Sequence, residues 1–159
     1  MGERRYIALI CSNGHVIRST VGLTPEQGRD FCEMCGAATI IACQKCNAPI
    51  PGLSSSEIVA GAEFSTPAYC ANCGTPYPWT EKGLEVAREL VSELEDLTED
   101  ERALLAKDLD DIIADTPRTM VAATRWKKAL SKISKEVAHA FREIFIDIAS
   151  ETAKKQLGL

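Results

Sequence analysis

The chain lacks any apolar run of the roughly eighteen residues needed to cross a bilayer. Its opening, MGERRYIALI, has too short an apolar stretch for a secretory signal and no small-residue cleavage site, and Tyr6 stands where a myristoylation signal wants Ser or Thr. These absences make the cytoplasm the expected location. No cysteine follows residue 73, and no Pro or Gly stands between Pro117 and Gly158. The second half is therefore free of thiol chemistry and, towards its end, of helix breakers. No nucleophile constellation, acid–base pair or phosphate-binding loop is visible either. A non-enzymatic protein is expected, with no catalytic residues and no organic cofactor to assign.

What is present is unevenly distributed. Residues 1–79 carry five Lys/Arg and six Asp/Glu, residues 80–115 four and thirteen, and residues 116–159 nine and four. All seven cysteines lie in the first segment, while the last two are rich in Ala, Leu, Glu and Lys. With 45% apolar residues the chain should fold. The expected organisation is a small metal-stabilised β head, residues 1–79, followed by an all-helical tail, residues 80–159.

Six cysteines form three pairs, Cys32/Cys35, Cys43/Cys46 and Cys70/Cys73, and Cys11 stands four positions before His15 in CSNGH. In a reducing compartment such pairs point to metal binding or redox work rather than to disulfides. Redox chemistry of the thioredoxin kind needs a βαβ context that the head lacks. Iron–sulfur ligation would suit four cysteines but not a set containing one His. Structural zinc fits: two sulfurs on one ion lie about 4 Å apart, a spacing that a tight two-residue turn delivers. Gly follows the second Cys in CEMCG and CANCG and Asn in CQKCN, residues that tolerate the positive φ with which such a turn ends.

The stretch GAATIIA between Cys32/Cys35 and Cys43/Cys46 is β-branched and predicts a strand, whose ends would stand about 20 Å apart. Those two pairs should therefore hold different ions. A sequential arrangement joins Cys11, His15, Cys32 and Cys35 at one site and Cys43, Cys46, Cys70 and Cys73 at the other. A cross-brace also satisfies the strand argument; the sequential order is preferred because consecutive elements tend to be neighbours. Asn13-Gly14 is a turn dipeptide that can bring His15 beside Cys11. VIRSTV is strand-like, and Thr24, Pro25 and Gln27 predict one helical turn before Cys32. The insert 47–69 has turn residues but no regular period.

Eight donors saturate two Zn²⁺ ions and leave no open position for catalytic water. Seven thiolates and two Zn²⁺ would bring the head to about −4, a poor match for phosphate. Tyr69, Tyr77 and Trp79 beside the last pair are expected to pack in the core or at the junction. His139 is expected to be an ordinary surface residue.

In the tail, Thr80 is the expected N-cap of a helix over about 81–96, with Trp79 and Leu84 as a hydrophobic staple and Leu84, Ala87, Val91 and Leu94 on one face. Thr98 and Glu101 form a capping box for a helix over about 99–114 with Leu105, Leu109, Ile112 and Ile113 inward. Thr116-Pro117 starts a third helix, to about 156, either continuous or broken near 131–134. Leu130, Ile133, Val137, Phe141, Ile144 and Ile148 form a seam close to coiled-coil spacing. The basic residues Arg125, Lys127, Lys128, Lys132 and Lys135 either face the acidic helices of the same small bundle, the favoured reading, or reach the phosphates of nucleic acid or a membrane surface.

With CSNGHVI, FCEMCGAATIIACQKCNAPIPG, PAYCANCGTPYPWTE and the closing DIASETAKK, the chain resembles a bacterial family of small proteins of unknown function that join a double zinc ribbon to a helical tail. The resemblance implies a cytoplasmic zinc-binding protein with Cys11, His15, Cys32, Cys35, Cys43, Cys46, Cys70 and Cys73 as ligands, and it implies no activity. The expected role is an adaptor or assembly module working through protein contacts or self-association of the tail. Nucleic-acid binding through residues 125–135 is the alternative.

Overall fold

A computed structural model describes residues 3–22 and 28–159; the helical turn expected at Thr24–Gln27 lies outside the described residues. The chain forms two compact units, Met1–Thr80 and Glu81–Leu159.

The first unit is built on β1 (Arg5–Cys11), whose apolar run Tyr6, Ala8, Leu9 and Ile10 is buried. It pairs antiparallel with β2 (Val16–Val21) across the CSNGH turn, with Ile10 opposite Val16 and Leu9 opposite Arg18. It also pairs with β3 (Thr39–Ile40) at Ile10 and Cys11, and with β4 (Pro51–Ser54) at Arg5 and Ile7. The strand expected over GAATIIA is thus shorter than its composition suggests: two residues form the ladder, and isolated bridges Phe31↔Ala38 and Ala42↔Pro49 flank it. Each flank closes a cysteine turn, and this breaks the ladder. Behind β1, Ala8, Ile10, Ile50, Tyr77 and Trp79 form the core together with Cys43 and Cys70. Gly52 is required where β4 crosses β2, because a Cβ there would lie 2.1 Å from the Ser19 carbonyl oxygen.

The insert 47–69, unreadable by period, contains β4 and a short helix α1 (Ser55–Val59). Ser54 and Glu57 form a capping box at its start: the Ser54 hydroxyl accepts from the Glu57 N–H, and the Glu57 carboxylate accepts from the Ser54 N–H at 2.7 Å. The S-x-x-E signal was there to be read.

Helix α2 (Pro78–Ser92) begins earlier than expected. Thr80 is inside it, fully buried, and its hydroxyl donates to the Ala68 carbonyl at 2.9 Å instead of capping the helix. Trp79 is held by its indole N–H on the Pro67 carbonyl and stacks on Tyr77 with centroids 4.7 Å apart. The stiff Pro76-Tyr77-Pro78 segment starts the helix without a capping side chain, since proline needs no N–H partner in a first turn.

In the second unit, α2 is followed by α3 (Glu99–Ala114), whose N-terminus carries the Thr98/Glu101 capping box and whose Leu105, Leu109, Ile112 and Ile113 are buried. Leu84, Ala87, Val91 and Leu94 are buried as well. The stretch 117–156 is three helices, α4 (Thr119–Leu130), α5 (Lys135–Ile148) and α6 (Glu151–Leu157). Ser134 and Ser150 each accept the N–H three residues on, so both joints are capped starts rather than kinks. The Ser150 N–H also donates to the Ile112 carbonyl, tying the second joint to α3.

Half of the expected seam is core: Leu130, Phe141 and Ile148 are buried. The centre is Trp126, Phe141 and Phe145, all fully buried, with ring centroids 4.9 Å apart for Trp126 to either phenylalanine. Phe145, outside the expected seam, is core; Ile133, Val137 and Ile144, within it, are only half-buried. Of the apolar residues of α5, Ala138, Phe141, Phe145 and Ile148 are buried and Ile146 is exposed.

Candidate metal centre

Three turns of the first unit repeat one geometry. In each, the N–H four residues after the first cysteine returns to that cysteine's carbonyl: Gly36 to Cys32 at 2.8 Å, Asn47 to Cys43 at 2.9 Å and Gly74 to Cys70 at 2.8 Å. Each returning residue has positive φ, 69°, 59° and 70° respectively, which is why Gly or Asn stands there. The cysteine N–H then donates to the carbonyl of Ala37, Ala48 or Thr75, closing the hairpin. CSNGH varies the theme. Gly14, φ 94°, donates to the Cys11 carbonyl at 2.9 Å, and the Cys11 N–H donates to the His15 carbonyl at 3.0 Å, so a Cys and a His leave the turn together.

These turns gather eight side chains into two clusters: Cys11, His15, Cys32 and Cys35, and Cys43, Cys46, Cys70 and Cys73, the donor atoms of each lying within 4.8 Å of one another. The first pair is brought to the second and the third to the fourth; the cross-brace is not formed. In the first cluster His15 Nδ1 lies 3.5 Å from Cys11 Sγ, 3.3 Å from Cys35 Sγ and 3.6 Å from Cys32 Sγ, and the Cys11 and Cys35 sulfurs are 3.8 Å apart. In the second, Cys43 to Cys73 is 3.7 Å and Cys46 to Cys70 is 3.6 Å. A tetrahedral ion with metal–sulfur bonds near 2.3 Å requires about 3.8 Å between sulfurs and about 3.6 Å from sulfur to imidazole nitrogen. The separations are edges of a coordination tetrahedron, so the residues fit a four-coordinate metal ion.

The surroundings favour thiolate at Cys35, Cys70 and Cys73. At the exposed Cys35, the Ala37 N–H and then His15 bring the thiol down to about 6. At Cys73, the Thr75 hydroxyl, 3.4 Å away, and then the Thr75 N–H do the same, again to about 6. Burial pushes Cys11 up, and there the N–H of His15 lies 3.3 Å from the sulfur to support its charged form. The Asn13 amide donates to Cys35 Sγ at 3.5 Å. Burial, then the charge on Cys70, pushes the Tyr77 phenol upward, keeping it a neutral donor beside that sulfur. Asn13, Thr75 and Tyr77 are supporting residues that spacing alone did not single out, although each stands within four positions of a ligand.

Of the five basic residues that the alternative reading would set on phosphate, three have partners within the chain. Arg125 Nη1 donates to both oxygens of the buried Asp108, at 3.1 and 3.2 Å, and Lys132 pairs with Glu101 at 2.7 Å. Lys127 reaches the Gln156 carbonyl at 3.4 Å. Lys128 and Lys135 are exposed. The opposite charges thus meet inside one helical unit, as the bundle reading expects. His139 is 73% exposed, 3.9 Å from Glu143, and far in sequence from either cluster. No helix among the described residues is long and apolar enough to cross a membrane.

Comparison with curated proteins and with solved structures finds no match. A family model does match, over residues 4–157, and with it nearly the whole chain: the protein belongs to the bacterial family described as an uncharacterised protein conserved in bacteria, DUF2321.

Proposed function

We propose that the first unit is a double zinc ribbon holding two structural Zn²⁺ ions, and that the protein is a non-enzymatic interaction module of the bacterial cytoplasm. The observation that carries this reading is the pair of four-donor clusters at tetrahedral separations. Four protein ligands complete the coordination of each ion, so neither retains a position for a reacting water. Cys43 and Cys70 are simultaneously ligands and core residues, the arrangement expected of an ion that holds a fold together. Seven thiolate donors suit a reducing compartment.

Protein contacts are preferred over nucleic acid because Arg125 and Lys132 are neutralised by Asp108 and Glu101 within the chain. Two of the five basic residues are thus already paired, which weakens the segment's hold on a phosphate backbone. Metal analysis of purified protein should return two zinc ions per chain, and His15→Ala should weaken retention at one site while leaving the other tight. Two ions still held tightly in that variant would remove His15 from the ligand set. In-cell cross-linking should recover defined protein partners. Recovery of nucleic acid alone, released by salt, would overturn the interaction reading.

A further inference from the structure

The second unit carries a groove of about 190 Å³ between α3 and α4 that the metal sites do not use. Its floor is Leu97, Leu105 and Ala129, with Leu104, 41% exposed, at its edge. Arg125, Lys128 and Lys132 stand around it, with Glu101 as the acidic member. The arginine is held in place from behind. Asp108, 1% exposed, takes two hydrogen bonds from Nη1, which engages one of the three guanidinium nitrogens. Lys128 has no acidic partner among the described residues.

We propose that this groove binds a short acidic segment of another protein, taking one large apolar side chain on the leucine floor and a neighbouring carboxylate on Arg125 and Lys128. The proposal rests on the interaction-module reading and names the chemistry of the partner. Charge complementarity selects the occupant: with Arg125 paired to Asp108 and Lys132 to Glu101, the Lys128 ammonium leaves the rim at +1 in a chain of net charge −5, and a guanidinium fixed by a buried Asp is pre-set for planar carboxylate recognition. Size excludes the other anions. A pocket for a cofactor-sized ligand is usually about 300–1,000 Å³, so this groove admits a side chain or two rather than a nucleotide or an acyl chain. A phosphate polymer would leave the leucines uncovered.

The test is a titration of the isotope-labelled, metal-loaded full chain with an acetylated, amidated peptide alternating Glu and Leu, followed by backbone NMR. Shifts should concentrate at Leu104, Arg125, Lys128 and Ala129. A Glu/Ser peptide should bind markedly more weakly and a Lys/Leu peptide should leave those residues unmoved. Lys128→Glu should weaken binding about fivefold, the worth of one exposed ion pair. Arg125→Lys, which keeps the charge and loses the fork, should weaken it similarly while the remaining spectrum stays in place. A silent groove, an equal response to the Lys/Leu peptide, or the same shifts with anionic phospholipid vesicles would overturn the proposal. So would shifts that grow with protein concentration alone, which would assign the groove to a second copy of the chain. A silent groove together with cross-linked partners mapping elsewhere refutes the groove and leaves the module reading intact; absence of any protein partner refutes the module reading itself.

Discussion

Replacing Phe145 and Ile144 by Ala, one at a time, separates the observed core from the heptad-like seam. The seam places Ile144 inside and Phe145 outside; the structure reverses them. Phe145 is fully buried, perpendicular to Trp126 at 4.9 Å and 6.1 Å from Phe141. Truncating a buried phenylalanine costs about 3–5 kcal/mol, and each aromatic pair lost contributes about 0.5–1.5 kcal/mol of that kind of loss. Ile144 is half-buried, so its truncation should cost about 1–2 kcal/mol, below the cost of about 2–5 kcal/mol for a fully buried aliphatic. A unit of this size is stable by about 4–12 kcal/mol. Phe145→Ala therefore removes a large fraction of the stability and Ile144→Ala a small one.

Urea denaturation of the metal-loaded chain, followed by circular dichroism at a helix-sensitive wavelength, reports the helical unit. With a slope of about 1–1.5 kcal/mol per molar urea, Phe145→Ala should lower the midpoint by about 2–4 M or leave the unit partly unfolded in buffer. Ile144→Ala should lower it by about 1 M. Equal shifts, or a larger one for Ile144→Ala, would refute the assignment of the core and restore the seam.

Two further outcomes are expected. Stripping the metal with a strong chelator should unfold the first unit, whose core contains Cys43 and Cys70, and leave the urea transition of the helical unit in place; parallel loss of both would show that the units do not fold independently. Thr116→Val removes the hydroxyl that bonds Asp111 at 2.7 Å and, ahead of Arg118, holds its carboxyl below the ordinary value of 3.8. A depressed folded pKa stabilises above the unfolded pKa and is lost as pH falls through the folded one. The variant should therefore be less stable than the parent at neutral pH and converge on it in acid, and a gap that stays constant with pH would exclude the Asp111 linkage.

The sequence was most legible where the information is local. Ligand spacing is a property of single turns, so CxxC and CSNGH name the residues that the structure gathers, and the Thr98–Glu101 box names a helix start. It was least legible where a long-range partner decides. Thr80 has the chemistry of a cap, but the Ala68 carbonyl claims its hydroxyl. The strand over GAATIIA has the composition of a longer ladder, but the turns at both ends set its length. The seam failed in part, at Ile133, Val137 and Ile144, because a heptad-like spacing carried across the joint at 131–134 does not follow the face that α5, capped by Ser134, turns inward with Ala138, Phe141, Phe145 and Ile148.

The two units also keep their shape by different physics, and this bears on where a partner can act. In the first, two of the candidate donors are part of the core: Cys43 and Cys70 pack with Ile10, Tyr77 and Trp79. In the second, ion pairs join helices at the surface, Arg125 to Asp108, Lys132 to Glu101, Arg88 to Asp110 and Arg118 to Asp111, and of these groups Asp108 alone is fully buried. Three of the pairs join the acidic segment to the basic one and offset part of the segregated charge. What escapes cancellation is local. The half-buried Arg125 and the ammonium of Lys128 stand beside Leu104, 41% exposed, an arrangement whose apolar area and fixed charge together suit a molecule that brings both a hydrophobic group and a carboxylate.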